Sequence, residues 1–154
     1  MTARSLFFVI VQLLLFLVFI ALPAGYAAKF GWQLTAFIIV IIGIVVVAVA
    51  MIQLGPGLTP MPVPKSTGRL VTSGVYRFVR HPLYSGLLLI LAGITLYSMN
   101  IPRAIVTGLL FFLFHFKSKY EEQLLLQRYP DYENYQKRTW RFLPKIKWKS
   151  VSEN

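Results

Sequence analysis

The run LFFVIVQLLLFLVFIALPAGY, residues 6–26, decides the fold. It contains no charged residue, and the uncharged stretch extends from Arg4 to Lys29. About 20 consecutive apolar residues are needed to cross a bilayer as a helix. A cleaved signal peptide is the alternative, because Arg4 supplies a basic start and residues 22–25 include small ones. The apolar core is longer than the roughly 7–15 residues typical of such signals, so the run predicts a membrane span.

A second apolar run and the composition extend this prediction to the whole chain. Of the 154 residues, 56% are hydrophobic and 14% are charged, which excludes an ordinary water-soluble globular protein. The run LTAFIIVIIGIVVVAVAMIQL, Leu34–Leu54, is rich in Ile and Val, but its unbroken length favours a spanning helix over a buried strand. Residues 1–54 are therefore predicted to contain two spans, and the length fits a single domain over residues 1–154.

A loop and a helical hairpin are predicted to follow the second span. Four prolines and four glycines in residues 55–74 forbid a continuous helix or a central strand. The apolar runs 83–99 and 104–116 are separated by the short turn NIPR, so they predict two further helices, with Pro102 near the start of the second. The sequence thus predicts an all-α integral membrane protein with about four transmembrane helices and a C-terminal helical tail.

The length of the last apolar helix leaves two alternatives. From Pro102 to Phe116 it would cover roughly 22 Å at 1.5 Å per residue. The hydrocarbon core of a bilayer is thicker, at roughly 30 Å. Either the helix continues into KSKYEEQLLLQR, residues 117–128, or the hairpin is embedded obliquely.

The distribution of basic residues predicts the orientation. With four crossings, fourteen of the sixteen Lys and Arg residues fall on one side, whereas Lys29 and Arg103 fall on the other. This bias predicts that both termini are cytoplasmic. It fits a bacterial inner membrane or an endoplasmic reticulum, and the lack of an obvious retention signal favours the former. The fourteen are Arg4, Lys65, Arg69, Arg77, Arg80 and nine residues of the tail.

The net charge of +11 does not predict nucleic-acid binding. The basic residues lie beside the spans and are interleaved with Trp140 and Trp148, which is typical of a segment on an anionic lipid surface. The lipid bilayer is therefore the expected partner, and the oligomeric state is not predicted. The chain has no cysteine, and its two histidines and five acids show no metal-ligand spacing, so no metal is expected and the chemistry requires a bound molecule.

The segment RHPLYSG, Arg80–Gly86, is a candidate site at the start of the third span. Pro82 suits the first turn of a helix, so free backbone N–H groups flanked by Arg80 and His81 would form a seat for a carboxylate or another anion. The alternative is structural. Arginine and tyrosine anchor many spans at the headgroup level, and Gly86 with Gly93 would allow close helix packing.

A second candidate lies in the predicted continuation of the last helix. Glu121 and Glu122 would emerge at the same membrane face as Arg80 and His81, and Lys117 shares a helix face with Glu121. The alternative is a solvated surface pair, which contributes a few tenths of a kcal/mol.

Together the two motifs resemble a known superfamily. GVYRFVRHPLYSG, residues 74–86, and EEQLLLQRYPDYENYQKRTWRFLP, residues 121–144, are similar to the isoprenylcysteine carboxyl methyltransferases and phospholipid methyltransferases, which are small integral-membrane enzymes. The resemblance covers roughly residues 55–144, the predicted cofactor-binding core, and implies S-adenosylmethionine as the cofactor. The cofactor-binding residues it implies are Leu70, Val71, Tyr76, His81, Pro82, Leu83, Tyr84, Glu121 and, more weakly, Glu122.

These residue types suit that cofactor. A buried site must offer a carboxylate for its ammonium, donors for its carboxylate and an apolar or aromatic wall for its adenine. Glu121 would bind the ammonium, and the helix start at His81 and Pro82 would donate to the carboxylate. Tyr76, with Leu70 and Val71, would form the wall for the adenine. Methyl transfer is an in-line displacement that needs alignment in a dry pocket and no protein nucleophile.

The candidate catalytic residues are Lys117 and Arg80. Lys117 would orient a substrate carboxylate where the eukaryotic enzymes offer an arginine, although lysine lacks the bidentate fork. An amine acceptor would instead have to lose a proton, to His115 or to a glutamate. The resemblance leaves the acceptor open between a prenylated cysteine carboxylate, an ethanolamine lipid and another lipophilic acid, thiol or amine.

Two other function classes are compatible with parts of the pattern. Membrane sterol and steroid reductases carry a similar Arg-His-Pro-x-Tyr segment and use NADPH, but they usually show asparagine before the tyrosine and Gly-Glu after it. Here Leu83 precedes the tyrosine, and Ser85 and Gly86 follow it. A noncatalytic lipid-binding membrane protein would explain the spans and the basic tail but not the paired motifs.

Overall fold

The computed structural model describes residues 3–23, 25, 29–55 and 70–144, and within them the fold is all-α. The predicted fold class is confirmed. Most of the predicted loop, including Lys65 and Arg69, and the end of the tail, including Trp148, lie outside the described residues. The helices are α1 (Ala3–Ala21), α2 (Phe30–Leu54), α3 (Pro82–Ser98), α4 (Ile101–Arg128) and α5 (Tyr132–Arg138), with a 3₁₀ turn at Gly74–Arg77 before α3.

Three of these helices, α1, α2 and α4, are long and apolar enough to cross a membrane, and α3 is a shorter apolar helix. The 17 residues of α3 measure about 25 Å. The 28 residues of α4 measure about 42 Å. The last apolar helix thus continues past Phe116, which settles the choice left by its apolar length. This continuation carries Lys117, Glu121 and Glu122 on one rigid element.

Successive helices run in alternating directions. The end of α1 meets the start of α4, where Arg103 Nη2 donates to the Leu22 carbonyl at 2.9 Å and Asn100 Nδ2 donates to the Pro23 carbonyl at 3.1 Å. Asn100 also caps α4, because its Oδ1 accepts from the Arg103 N–H at 3.0 Å. The other ends of these helices, the start of α1 and the end of α4, therefore lie toward the opposite face of the bundle. That face gathers the start of α3 and the second half of α4.

Small residues allow α2 and α3 to approach closely. Ala36, Gly43 and Ala50 are buried at seven-residue intervals along α2, and Gly86 and Gly93 are buried on α3. A Cβ on Gly93 would lie 2.6 Å from Val40 Cγ2 and 2.9 Å from the Ala36 carbonyl oxygen. Close backbone approach at small residues is a common basis of helix packing in membranes.

We expect Gly93→Val to destabilise the protein, because the added carbons would have to displace the backbone of α2. Overpacking of this kind costs about 1–3 kcal/mol. The matched control is Gly108→Val on α4, where an added Cβ meets nothing within 4 Å. Thermal unfolding in detergent should show a lower midpoint for the first variant than for the second. Equal midpoints would mean that the α2–α3 contact is loosely packed.

Candidate functional site

Glu122 is a buried carboxylate surrounded by donors. Its side chain is 3% exposed. Arg80 Nε donates to its Oε1 at 2.9 Å, and Arg141 Nη2 donates to its Oε2 at 2.6 Å. Gln136 Nε2 adds a third donor at 3.1 Å. A buried charge is tolerated where it is paired and hydrogen-bonded in this way. Glu122 therefore joins α4 to the segment before α3 and to the chain after α5.

The Arg80 side chain makes contacts that fix the tail. Besides Glu122, its Nη1 donates to the backbone carbonyls of Gln136, at 2.9 Å, and of Thr139. These contacts support a structural role for Arg80. We call Thr139–Pro144, the segment that follows α5, the strap.

The strap also binds two backbone donors that immediately precede the helix start predicted to bind an anion. Arg80 N donates to the Trp140 carbonyl at 2.9 Å, and His81 N donates to the Arg141 carbonyl at 3.0 Å. Ser85 Oγ donates to the Phe142 carbonyl at 2.7 Å. Three consecutive carbonyls of the strap are thus bound to the start of α3, and these two N–H groups do not face a ligand.

Glu121, the neighbouring carboxylate, has a different environment. Its side chain is 15% exposed. The Tyr84 hydroxyl donates to Oε1 at 2.5 Å, and His81 Nδ1 lies 3.4 Å from Oε2. Glu121 is therefore more accessible than Glu122, and no arginine salt bridge to it is found among the described residues.

His81 lies between the two carboxylates. Its Nε2 is 3.2 Å from Glu122 Oε1, while Nδ1 faces Glu121, and its ring stacks on Tyr84 with centroids 5.6 Å apart. Burial alone would lower the pKa of His81, but its hydrogen bonds to Glu121 and Glu122 and their negative charge raise that pKa above its ordinary value. The ring is therefore held in its protonated form more firmly than a free imidazole.

We expect the stability of the protein to fall on the alkaline side. Because the pKa of His81 is raised in the folded state, its protonation stabilises the fold fully below the unfolded pKa of about 6.5, and this contribution is lost as the pH rises through the folded pKa. As the pH rises above about 6.5, the thermal midpoint of the wild type should therefore decline more steeply than that of His81→Gln. Parallel pH profiles of the two proteins would contradict this assignment.

Tyr76 is a buried aromatic residue near Glu121. Its carbonyl accepts from the Tyr135 hydroxyl at 2.6 Å, and its own hydroxyl reaches the Ala50 carbonyl at 3.4 Å. Burial, together with the negative charge of Glu121, raises the pKa of Tyr76 to about 12. The preceding Gly74 has a φ of +59°, and a Cβ there would overlap the side chain of Gln53. A glycine is thus needed to seat this turn against α2.

We call His81, Tyr84, Glu121 and Glu122 the cluster. Each of the remaining predicted residues lies either next to this cluster or farther from it. Lys117 is 1% exposed, and its Nζ donates to Gln12 Oε1 at 2.8 Å and lies 5.4 Å from the Tyr84 ring centroid. His115, the alternative proton acceptor, contacts the Phe116 ring edge-on rather than the carboxylates. Pro82 is fully buried, whereas Leu70, Val71 and Leu83 are half-buried apolar residues.

An apolar cavity of about 840 Å³ adjoins the start of α3. The Phe142 ring stands between it and the cluster, with its centroid 6.3 Å from His81 and 6.1 Å from Phe111. The cavity is bounded by α2, α3, α4 and the strap, and its walls include Val46, Pro82, Ala92, Phe111, Trp140 and Leu143.

Sequence reasoning missed three residues of this arrangement. Arg141 and Gln136 bind Glu122 from the tail, and Gln12 binds Lys117 from α1. Only Gln12 carries a signal in the sequence, because it is the one polar residue in the run 6–21. Within the described ranges, no group of three or more His, Cys, Asp or Glu residues could hold a metal ion.

Comparison with known proteins identifies related sequences and folds. The phospholipid methyltransferase family profile matches residues 32–132. A solved structure of the eukaryotic intramembrane Ras methyltransferase, isoprenylcysteine carboxyl methyltransferase, is similar in fold, with a TM-score of 0.69 and 22% sequence identity. The similarity covers 93% of this chain and 50% of that chain, so this protein spans half the length of that enzyme. No curated protein sequence matches significantly.

Proposed function

The chain belongs to the phospholipid methyltransferase family, and from this we propose that it transfers a methyl group from S-adenosylmethionine to a lipophilic acceptor within the bilayer. The bound cofactor would supply a methyl group activated by a sulfonium. The protein would supply binding, alignment and exclusion of water, which account for much of the rate of an in-line displacement.

The unequal environments of the two glutamates carry this proposal. Glu122 is neutralised by Arg80 and Arg141, whereas its neighbour Glu121 receives only a hydroxyl and a shared histidine among its described contacts. A carboxylate that retains charge and access suits the ammonium of the cofactor. The site therefore contains one acid for structure and one for a cationic ligand.

The surrounding residues fit the rest of the cofactor. Tyr76, with the half-buried Leu70 and Val71, would form the wall for the adenine, and the segment from His81 to Tyr84 would complete the pocket. Because the strap takes the N–H groups of Arg80 and His81, the donors for the cofactor's carboxylate are other groups of the site.

The acceptor would bind from the bilayer side. The apolar cavity is lined in part by Phe142 and would take the hydrocarbon chain of the acceptor. Lys117 would orient the charged end of the acceptor. A prenyl-cysteine-like carboxylate and a lipid amine both remain candidates. A carboxylate needs no base, whereas an amine would give its proton to a glutamate, since His115 does not contact the cluster.

We expect Ala92→Phe to reduce methyl transfer by about tenfold, because the ring would fill part of the cavity that takes the acceptor. Binding of S-adenosylhomocysteine should stay unchanged. Ala104→Phe, an exposed site on α4 outside the cavity, is the matched control. Labelled methyl incorporation into a lipid extract measures the effect, and equal incorporation by both variants would exclude the cavity as the acceptor site.

Calorimetry on the detergent-purified protein tests the proposed function directly. The protein should bind S-adenosylmethionine and S-adenosylhomocysteine, with NADPH as the comparison. Binding of NADPH without binding of the other two would favour a sterol or steroid reductase instead. Binding of none of the three would favour a noncatalytic lipid-binding protein.

The topology supports a proposal for orientation. The start of α1, the end of α2, the start of α3 and the strap share one face, which carries Arg4, Arg77, Arg138 and Arg141, whereas Lys29 and Arg103 lie at the opposite face. By the positive-inside rule we place both termini in the cytoplasm, with a bacterial inner membrane as the site of residence. Residues 1–154 would then form one methyltransferase domain, with the core over residues 55–144.

A further inference from the structure

We infer that Arg141, in the strap, forms an anion subsite for the acceptor at the boundary between the apolar cavity and the cluster. The group it would bind is an anionic oxygen group attached to a long hydrocarbon chain. A prenyl-cysteine-like carboxylate and the phosphodiester of a phospholipid both have this chemistry. The inference deepens the proposed function and rests on it, because it assigns Arg141 to binding of the acceptor.

Arg141 belongs both to the cavity and to the charged part of the site. Among the described residues that line the cavity, it is the only charged one. Its Nε donates to Glu122 Oε1 at 3.2 Å, and its Nη2 donates to Glu122 Oε2 at 2.6 Å. The stem of an arginine can pack on apolar surface while its charged head stays in a polar setting. A ligand whose chain fills the cavity would therefore meet this guanidinium at its polar end, where a few polar groups fix its orientation.

The charges around Glu122 favour an anionic ligand. Arg80 and Arg141 both pair with this one carboxylate, so two positive charges share one negative charge. Glu121, the second acid, forms no ion pair with either arginine within the described ranges. An anionic group beside Arg141 would balance the excess charge, whereas an ammonium placed there would be repelled.

The Arg141 guanidinium retains donors for such a group and is held in place. Of its five N–H donors, those on Nη1 make no hydrogen bond within the described part of the chain, and the side chain is 22% exposed. The Arg141 carbonyl accepts from His81 N at 3.0 Å, and the next carbonyl accepts from Ser85 Oγ at 2.7 Å. A group that is fixed before the ligand arrives loses less entropy on binding.

The residues around Arg141 give the cavity an opening toward lipid. Phe78, Trp140 and Leu143 all line the cavity, and each is at least half exposed. Exposed apolar side chains of a membrane protein face the bilayer, and tryptophan is typical of the level of the headgroups. An amphiphile whose chain enters at this opening would keep its anionic group beside the strap.

Calorimetry with three amphiphiles tests the subsite on the detergent-purified protein, saturated with S-adenosylhomocysteine. N-acetyl-S-farnesylcysteine carries a carboxylate, lysophosphatidylethanolamine carries a phosphodiester, and farnesylamine carries a cation and no anion. We expect Arg141→Gln to weaken binding of at least one anionic probe by about tenfold and to leave farnesylamine binding unchanged. The probe that is affected identifies the source of the anion. Arg77→Gln, which changes an exposed arginine outside the cavity wall, is the matched control.

The comparison among probes separates an anion subsite from a structural role. Unchanged affinity for both anionic probes, or an equal loss for all three probes, would overturn the inference. If Arg141→Gln folds poorly, Arg141→Lys keeps a charge for Glu122 without the planar fork, and its affinity for the anionic probe should still fall relative to farnesylamine. A wild type that binds no S-adenosylhomocysteine overturns the proposed function itself, and the three probes can still be compared on the protein without it.

Discussion

Glu122→Gln is expected to cause the largest loss of stability of any single change in the site. The buried carboxylate pairs with Arg80 and Arg141, so the neutral amide would leave the largely buried Arg80 guanidinium and the partly exposed Arg141 guanidinium without their counter-ion. Removing one partner of a buried ion pair costs about 3–5 kcal/mol, which is a large share of the total stability of a small domain. The measurement is the thermal midpoint in detergent, together with the folded fraction after size-exclusion chromatography.

The matched control for this change is Glu133→Gln on α5. Glu133 also pairs with a cation, Lys137, at 2.8 Å, but both side chains are about two-thirds exposed. Exposed pairs of this kind contribute little. A Glu122→Gln protein as stable as Glu133→Gln would show that the buried network does not hold the strap in place.

Glu121→Gln is expected to separate ligand binding from stability. Glutamine keeps an oxygen that can accept from Tyr84, so the variant should fold, but it removes the charge proposed to bind the cofactor's ammonium. We expect S-adenosylmethionine affinity to fall by at least about tenfold, or about 1.4 kcal/mol. Isothermal calorimetry measures the affinity, and the thermal midpoint without ligand measures the fold.

The two adjacent substitutions serve as each other's controls. Glu121→Gln should lower affinity more than stability, and Glu122→Gln should lower stability in the absence of any ligand. Unchanged affinity in Glu121→Gln would remove that residue from the cofactor site. Loss of stability in both variants to the same degree would mean that the two carboxylates share one structural role.

The helices were predictable because their signals are local. The run 34–54 begins four residues after the start of α2 and ends with it, and the run 83–99 is offset from α3 by one residue at each end. The hairpin turn follows from Asn100 and Pro102, an N-cap and an early proline at the start of α4. The prediction left the end of α4 open, because the polar continuation beyond Phe116 has no apolar pattern of its own. Its helicity is supported by contacts of Lys117 and Glu122 with other elements.

The different environments of the two glutamates were not predictable. They are adjacent in the sequence, and the arginines that distinguish Glu122 come from distant parts of the chain. Arg141 reaches Glu122 because α5 turns the tail back over the start of α3, which is a contact between distant parts of the chain. The resemblance placed Glu121 above Glu122 as a cofactor ligand, and the difference in burial supports that order. The strap's use of the Arg80 and His81 N–H groups is likewise a long-range effect.

The short length of α3 has a consequence for the lipids around it. At about 25 Å it is some 5 Å shorter than the hydrocarbon core it faces. For a helix that is too short, this hydrophobic mismatch is relieved by local thinning of the bilayer or by flanking residues that extend to the interface. Since Arg80 and His81 stand at the start of α3, we expect local thinning to bring the membrane surface closer to these two residues. Bilayer thickness would then set the distance between the lipid headgroups and the proposed site.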